Sequence, residues 1–406
     1  MKDLSSKRIE QIKPSITVSL SQKAKEYSAQ GRDVINVTTG ELPFKAPNHI
    51  RQSLIKSLEE GKDKYSNPSG INELKEAVVD KFREENDLNF TEDEIIIGNG
   101  VKELFFNLMA STISKDDEVL IPAPYWVSFP EIVSFFDGNP VTLKTSQKNN
   151  FKINPEELSS SITKKTKWLI INSPSNPTGS VYSSKELEDI ANVLRETQNQ
   201  HISIISDDIY EKVLFDDNKF QNILNVAPDL FGRVVVLNGF SKSFCMTGWR
   251  LGYAAAKKEI IDRISKIKSH SNTCTPPFIQ FAGVSALKED YSFFSENLIK
   301  IKNDRDLILD GLNSIDGISC LKPEGAFYVF PSCKNFLGCV SQSGKVINSS
   351  IDFASYLLED YNLAVVPGEA FGLNGYFRIS FTIGEDLIKE LIDRLSKACS
   401  KLKKHS

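Results

Sequence analysis

The chain has 406 residues with a formal net charge of −4, 40% hydrophobic and 25% charged residues. That length exceeds one hydrophobic core, so two domains are expected, and the near-neutral balance argues against nucleic acid or anionic lipid as a partner. The sequence has no apolar run near the roughly 20 residues that span a bilayer and no secretory leader in "MKDLSSKRIEQIKPS", so a cytoplasmic location is expected.

The first 45 residues do not read as part of a large sheet and are expected to fold back onto the C-terminal part. From about residue 94 to 256, short apolar runs alternate with helical stretches. "EIIIGNG" precedes "VKELFFNLMASTI", "EVLIPA" precedes "YWVSFPEIVSFF", and "KWLIINSP" precedes "SSKELEDIANVLRE". "ISIISDD", "VVVLNGF" and "RLGYAAA" follow. Such alternation predicts an α/β domain around a largely parallel, buried sheet, with ligands beyond the strand ends. Long helices come next, one of them at a junction near 290–315. Strands "GAFYVFPS", "LAVVPGE" and "YFRISFT" and a closing helix, "EDLIKELIDRLSKACSKL", predict a smaller α+β domain. The expected division is 1–45 with the small domain, 46–300 as the large domain and 301–406 as the small one. The six cysteines form no CxxC pair and the four histidines are scattered, so no metal site is expected.

Lys242, in "NGFSKSFCMTGWRLGY", follows a strand-like run. An ordinary lysine snorkels to water or pairs with an acid; a desolvated one has a lowered pKa and can form a Schiff base with a carbonyl. Its neighbours bear on the choice. Gly98-Asn99-Gly100 ends a strand and opens a helix, whose free N–H groups suit one phosphate. Glu103 breaks a G-x-G-x-x-G dinucleotide fingerprint, and no GxxxxGK[ST] loop occurs. Arg250 and the hydroxyls of Ser241 and Ser243 could complete that anion site. Asp207, at the end of an apolar strand, is costly to desolvate without a cation such as a protonated pyridine nitrogen. Asp208 reads as a helix cap or surface acid, and Tyr210 could reach the same ligand as Asp207. Asn176 lies in "NSPSNPTGS", which alone is a turn. Trp126, in "PAPYWVSFP", is either core or a platform for a flat ring.

"KYSNPSGINELKEAV", "GNGVKE", "PYW", "SNPTG", "SDDIY", "SKSFCMTGWRLGY" and "FRISFT" together resemble the class I aminotransferases of the aspartate aminotransferase family, over nearly the whole chain. The resemblance implies the fold-type I pyridoxal-phosphate architecture, ping-pong amino transfer and a homodimer with shared active sites. It implies that Lys242 carries the cofactor and shuttles a proton, and that Asp207 meets the pyridine nitrogen. Tyr210 and Asn176 would flank the cofactor's phenolic oxygen, with Trp126 stacked on the ring. Gly100, Val101, Lys102, Ser241 and Arg250 would cradle the phosphate, and Tyr65 would reach the phosphate of the other subunit. Arg378 would clamp the substrate α-carboxylate beside the backbone of Gly40. Two departures stand out: "TTGELPFKAP" replaces the usual glycine-acid-proline-aspartate run, and "SHSNTCTPP" holds no arginine for a second carboxylate. Aspartate or glutamate with 2-oxoglutarate is the expected substrate pair, with aromatic amino acids or prephenate next. A lyase on the same cofactor or a regulatory cofactor-binding protein are the remaining readings.

Overall fold

The computed structural model describes residues 4–289 and 292–404. Residues 1–3 at the head of the N-terminal segment, 290–291 at the expected junction, and 405–406 lie outside the described residues.

Strand β1 (Ile35–Asn36) belongs to the N-terminal segment. The apolar runs that follow it become β2 (Ile95–Gly98), β3 (Glu118–Pro122), β4 (Asn139–Leu143), β5 (Thr166–Asn172), β6 (Ser203–Asp207), β7 (Val234–Gly239) and β8 (Gly252–Ala255). They form one seven-stranded sheet in the order β2-β8-β7-β6-β5-β3-β4. Only β8 runs antiparallel to its neighbours, β2 and β7.

Alternate residues of each strand enter separate cores on the two faces. In β5, Leu169 and Ile171 join one face, and Trp168 and Ile170 the other. Helices Asn72–Asn86, Ser184–Arg195 and Pro277–Lys288 cover the first face. Helices Val101–Thr112, Ser128–Phe135 and Lys258–Ser271 cover the second. Burial on both sides is why these strands read as continuous apolar runs. Each fully buried Leu or Ile contributes about 1.5–3 kcal/mol to holding the layers together.

A second core gathers around β9 (Tyr328–Val329), β11 (Leu363–Ala364) and β13 (Phe377–Ser380); β10 (Cys339–Val340), β12 (Val366–Pro367) and β14 (Lys403–Lys404) are the remaining strands of this part of the chain. Strands β12-β13-β9 make an antiparallel sheet packed by helices Ser292–Asn313, Ser350–Tyr361 and Glu385–Ser400. The run expected as one strand, "LAVVPGE", is split: β11 pairs with β1 and β12 with β13.

The N-terminal segment touches both halves. Ile35↔Leu363 pairing puts β1 beside β11, and helix Ile16–Ala29 buries Ala24 against Leu358 and Ala364. Ahead of it, Arg8 lies 3.6 Å from Asp137 and the backbone N–H of Lys13 donates to Glu131 at 2.8 Å, both on the sheet side. Among the described residues no helix is long and apolar enough to cross a membrane. All six cysteines are free thiols.

Candidate active site

Parallel strands end at one edge of the sheet, and the chain turns there into helices, so strand-end residues converge. Asp207 closes β6, Asn172 closes β5, Lys242 follows β7, Trp126 follows β3, and Val101 opens the helix after β2. With residues of the second unit they line a cavity of about 710 Å³.

Lys242 faces this cavity and donates a hydrogen bond to the carbonyl of Gly40 at 2.6 Å. Desolvation lowers its pKa to about 8, and the positive charge of Arg378 adds to the effect. The amine lies over the rings of Tyr210 and Phe327, 5.8 and 5.7 Å from their centroids. Gly40 has to be glycine, because a Cβ there would run into the Tyr328 hydroxyl.

Asp207 is buried, and desolvation pushes its carboxyl up to about 7. Its carboxylate accepts one long bond, from the Ile209 N–H at 3.4 Å, and among the described residues it has no ion-pair partner. Tyr210 is buried beside it and shares a 2.8 Å hydroxyl–hydroxyl bond with Tyr328.

Arg378, on β13, is 4% exposed and stacks over Tyr328 with 4.5 Å to the ring centroid. It donates to the side-chain oxygen of Asn176 at 3.0 Å and to the Thr38 carbonyl at 2.5 Å. Among the described residues its Nε has no hydrogen-bond partner. Asn176 is fixed by its own N–H on the Asn172 side chain at 2.9 Å.

One side of the cavity is built from Val101, Lys102, Ser241, Thr247 and Arg250. Gly100 caps the helix at φ +82°, and a Cβ there would lie 2.5 Å from the Arg250 guanidinium. That close approach requires glycine. Arg250 donates to the Thr247 carbonyl at 2.8 Å. Lys102 lies over the Trp126 ring, 4.9 Å from its centroid, and burial lowers its pKa, with Arg250 adding to the shift.

Of the residues singled out from sequence, Gly40, Val101, Lys102, Trp126, Asn176, Asp207, Tyr210, Ser241, Lys242, Arg250 and Arg378 all line the one cavity. Tyr65 stands apart, 88% exposed on the surface. Ser243 is buried and lies outside the cavity lining.

Asp208 corrects the expectation of a cap or surface acid. It is 2% exposed and turned away from the cavity, where Ser206 donates to it at 2.7 Å and Asn222 at 2.6 Å. Consecutive strand-end residues face opposite sides, so one acid meets the cavity and the next meets the interior. Burial pushes its carboxyl up to about 8.

Sequence reasoning missed Tyr328, Thr38, Asn172 and the rim residues Ser15, Val18, Gln22 and Lys25. Tyr328 sat in an apolar strand run, and the one available signal was its hydroxyl at a strand position. The rim carried no signal.

Comparison with known proteins identifies the family. Residues 32–395 match the family model for aminotransferase class I and II. The chain is 44% identical to a probable aspartate/prephenate aminotransferase of Rickettsia felis, over 98% of this chain and 97% of that one. The crystal structure of the aspartate aminotransferase from Rhizobium meliloti superposes with a TM-score of 0.95 at 38% identity, covering 99% of this chain and 100% of that one. An aspartate aminotransferase from Thermus thermophilus with maleate gives 0.91 at 35%, covering 98% and 100%. With the family model spanning most of its length and relatives of this identity matched end to end, the chain belongs to the aminotransferase class I and II family.

Proposed function

We propose that this aminotransferase uses pyridoxal 5′-phosphate to move an amino group from aspartate or glutamate to a 2-oxo acid, in a ping-pong cycle. 2-Oxoglutarate and prephenate are the proposed acceptors; the name of the Rickettsia felis relative supports prephenate and aspartate. The observation that carries the reading is one cavity lined by an amine with a pKa of about 8 and a carboxyl at about 7, neither of them in an ion pair among the described residues.

The residues fit the cofactor. Asp207, buried and unpaired, calls for a cationic partner, which a protonated pyridine nitrogen supplies. The Gly100 turn, Lys102, Ser241 and Arg250 offer donors to one phosphate, and Trp126 offers a flat face. The bound cofactor would supply an electron sink for the negative charge left when the substrate Cα–H is broken.

The remaining work falls to the chain. Lys242, close to half neutral at pH 8, is a nucleophile toward a carbonyl and a base able to take the Cα proton and return it. Arg378 and Asn176 orient the α-carboxylate, and the free Nε and the fork of Arg378 suit a bidentate pair. In the ligand-free chain the Gly40 carbonyl holds the Lys242 amine in the cavity. Tyr210 and Tyr328 wall off water on that side.

Tyr65, exposed on a single chain, supports a homodimer in which it serves the neighbour's phosphate. Residues 46–300 and 301–406 are the proposed large and small domains, with 1–45 joined to the second, and the cytoplasm is the proposed location.

Purified protein with pyridoxal phosphate, offered a panel of amino acids and either 2-oxoglutarate or prephenate, should convert aspartate or glutamate to its 2-oxo acid. Borohydride reduction should fix the cofactor to the peptide carrying Lys242. Cofactor fixed to another lysine, or elimination products without amino transfer, would overturn the reading.

A further inference from the structure

The turn before helix Val101–Thr112 is held from behind by two charged groups that the roles above leave unused. Glu103, on the first turn of that helix, reaches back so that its carboxylate accepts the backbone N–H of Asn99. The same carboxylate accepts the side-chain amide of Asn107 at 2.9 Å. Lys268, fully buried on helix Lys258–Ser271, places its ammonium 3.3 Å from both carboxylate oxygens. Lys268 also donates to the Thr275 hydroxyl at 3.0 Å. From the front, Arg250 approaches the Asn99 carbonyl at 3.5 Å and closes over Gly100. Asn99 is therefore gripped on its N–H by Glu103 and on its carbonyl by Arg250.

This arrangement contains a conflict. A carboxylate in the first turn suits an empty helix start, because it answers the partial positive charge there. For an anion bound in front, the same carboxylate is a like charge close by in a poorly screened interior. A neutral side chain would avoid the repulsion, yet the chain keeps the acid and buries a lysine against it. Neither Glu103 nor Lys268 lines the cavity, so neither touches a ligand.

We infer that Lys268 is a positioning residue for the anion site: it neutralises Glu103 from behind, so that this carboxylate holds the Asn99–Gly100 turn in shape without repelling a phosphate in front. The inference rests on the phosphate role proposed for Val101, Lys102 and Arg250. It makes a signed statement about charge, which a purely structural role for Lys268 does not.

The test is direct binding to the full-length protein, with pyridoxal 5′-phosphate and with pyridoxal, which lacks the phosphate, followed by absorbance. Lys268→Met should weaken pyridoxal phosphate by about tenfold or more while leaving pyridoxal within about twofold, because only the phosphate feels the uncovered charge. Glu103→Gln keeps an oxygen for the Asn99 N–H and leaves Lys268 positive, so it should bind pyridoxal phosphate as tightly as wild type or tighter. Combining Glu103→Gln with Lys268→Met should bring affinity back to within about threefold of wild type, a strongly non-additive cycle.

Additive losses in the double variant, or equal weakening of both ligands by Lys268→Met, would mean that Lys268 only packs, and the inference would fall. If Lys268→Met does not fold, the Glu103→Gln arm decides, and weaker phosphate binding there overturns it. A wild type with no preference for pyridoxal phosphate over pyridoxal removes the phosphate-cradle reading, and this inference with it. A wild type with that preference, unchanged in Lys268→Met, overturns this inference alone.

Discussion

Lys242 and Lys268 are both taken out of water, and burial lowers the pKa of each, but their surroundings answer the cost differently. Lys268 meets a carboxylate and a hydroxyl and is sealed off. Among the described residues Lys242 meets a carbonyl and two aromatic rings, with no carboxylate bonded to it, at the edge of a cavity. The same contrast separates Asp208, bonded to Ser206 and Asn222, from Asp207, which has one long backbone bond. Of these four groups, Lys268 and Asp208 are satisfied in the walls, and Lys242 and Asp207, on the floor of the cavity, are left for a ligand to satisfy. Removing a wall group should therefore cost stability, and removing a floor group should cost chemistry.

The sharpest test of that contrast is Lys242→Ala. It should lower kcat by about 10⁴-fold or more, the upper end of what a positioned acid–base group contributes, with the thermal midpoint of the ligand-free protein unchanged or raised. Glu103→Ala, in the wall, should instead cost about 3–5 kcal/mol in denaturant unfolding, because it strands a buried charge. If Lys242→Ala unfolded the protein as readily, the contrast would be lost.

Asp207→Asn should follow, with a loss of about 10³-fold in kcat and retained cofactor binding, since the amide is nearly isosteric but carries no charge to hold a cation. Arg378→Ala should come third. Truncating one partner of a bidentate carboxylate pair in a dry site costs about 2–5 kcal/mol, read as a fall in kcat/KM across all amino acid substrates. A fall of less than about tenfold would remove Arg378 from the substrate clamp.

A smaller effect concerns pH. Asp207 titrates at about 7 in the folded protein against an ordinary 3.8, so its folded-state pKa is raised. Between pH 4 and 7 the unfolded chain gives up this proton while the folded chain keeps it. The unfolded state then binds fewer protons, and stability falls as pH rises through this window and levels off above it. Ligand-free wild type should lose up to about 4 kcal/mol relative to Asp207→Asn between pH 4 and pH 8, at about 1.4 kcal/mol per unit. Parallel unfolding curves for the two proteins across that range would show that Asp207 is not desolvated. The smallest effect belongs to Asp208→Asn, whose kcat should stay within about threefold of wild type because the side chain faces away from the cavity.

How much of this was legible in the chain varies by element. The central strands were plain because burial on both faces writes itself as unbroken Val and Ile runs, as in β7. Strand β4 was not, because as an edge strand holding Pro140 it buries little besides Leu143. Lys242, Asp207 and Asn176 stood out as polar residues placed where apolar runs stop. Asp208 was misread because a single sequence does not say which of two adjacent acids faces the interior. Thr38, Gly40 and the rim from Ser15 to Lys25 reach the cavity through pairing of β1 with β11, a contact spanning more than three hundred residues. Local pattern carries no record of such a closure, and only the family resemblance reached Gly40.

The desolvated amine of Lys242 has a practical consequence for chemical labelling. At pH 7.4 an amine with a pKa of about 8 is about one-fifth neutral, whereas an ordinary surface lysine near 10.4 is neutral about one time in a thousand. Only the neutral form attacks an aldehyde or an activated ester. A small electrophile given at low dose should therefore mark Lys242 ahead of the solvent-exposed lysines, with Lys102, its cavity neighbour, as the main competitor. Lys268, fully buried and sealed by Glu103 and Thr275, should stay unmarked until the protein unfolds. One peptide map would thus report the entrance, the occupancy and the integrity of the site from three lysines that look alike in the sequence.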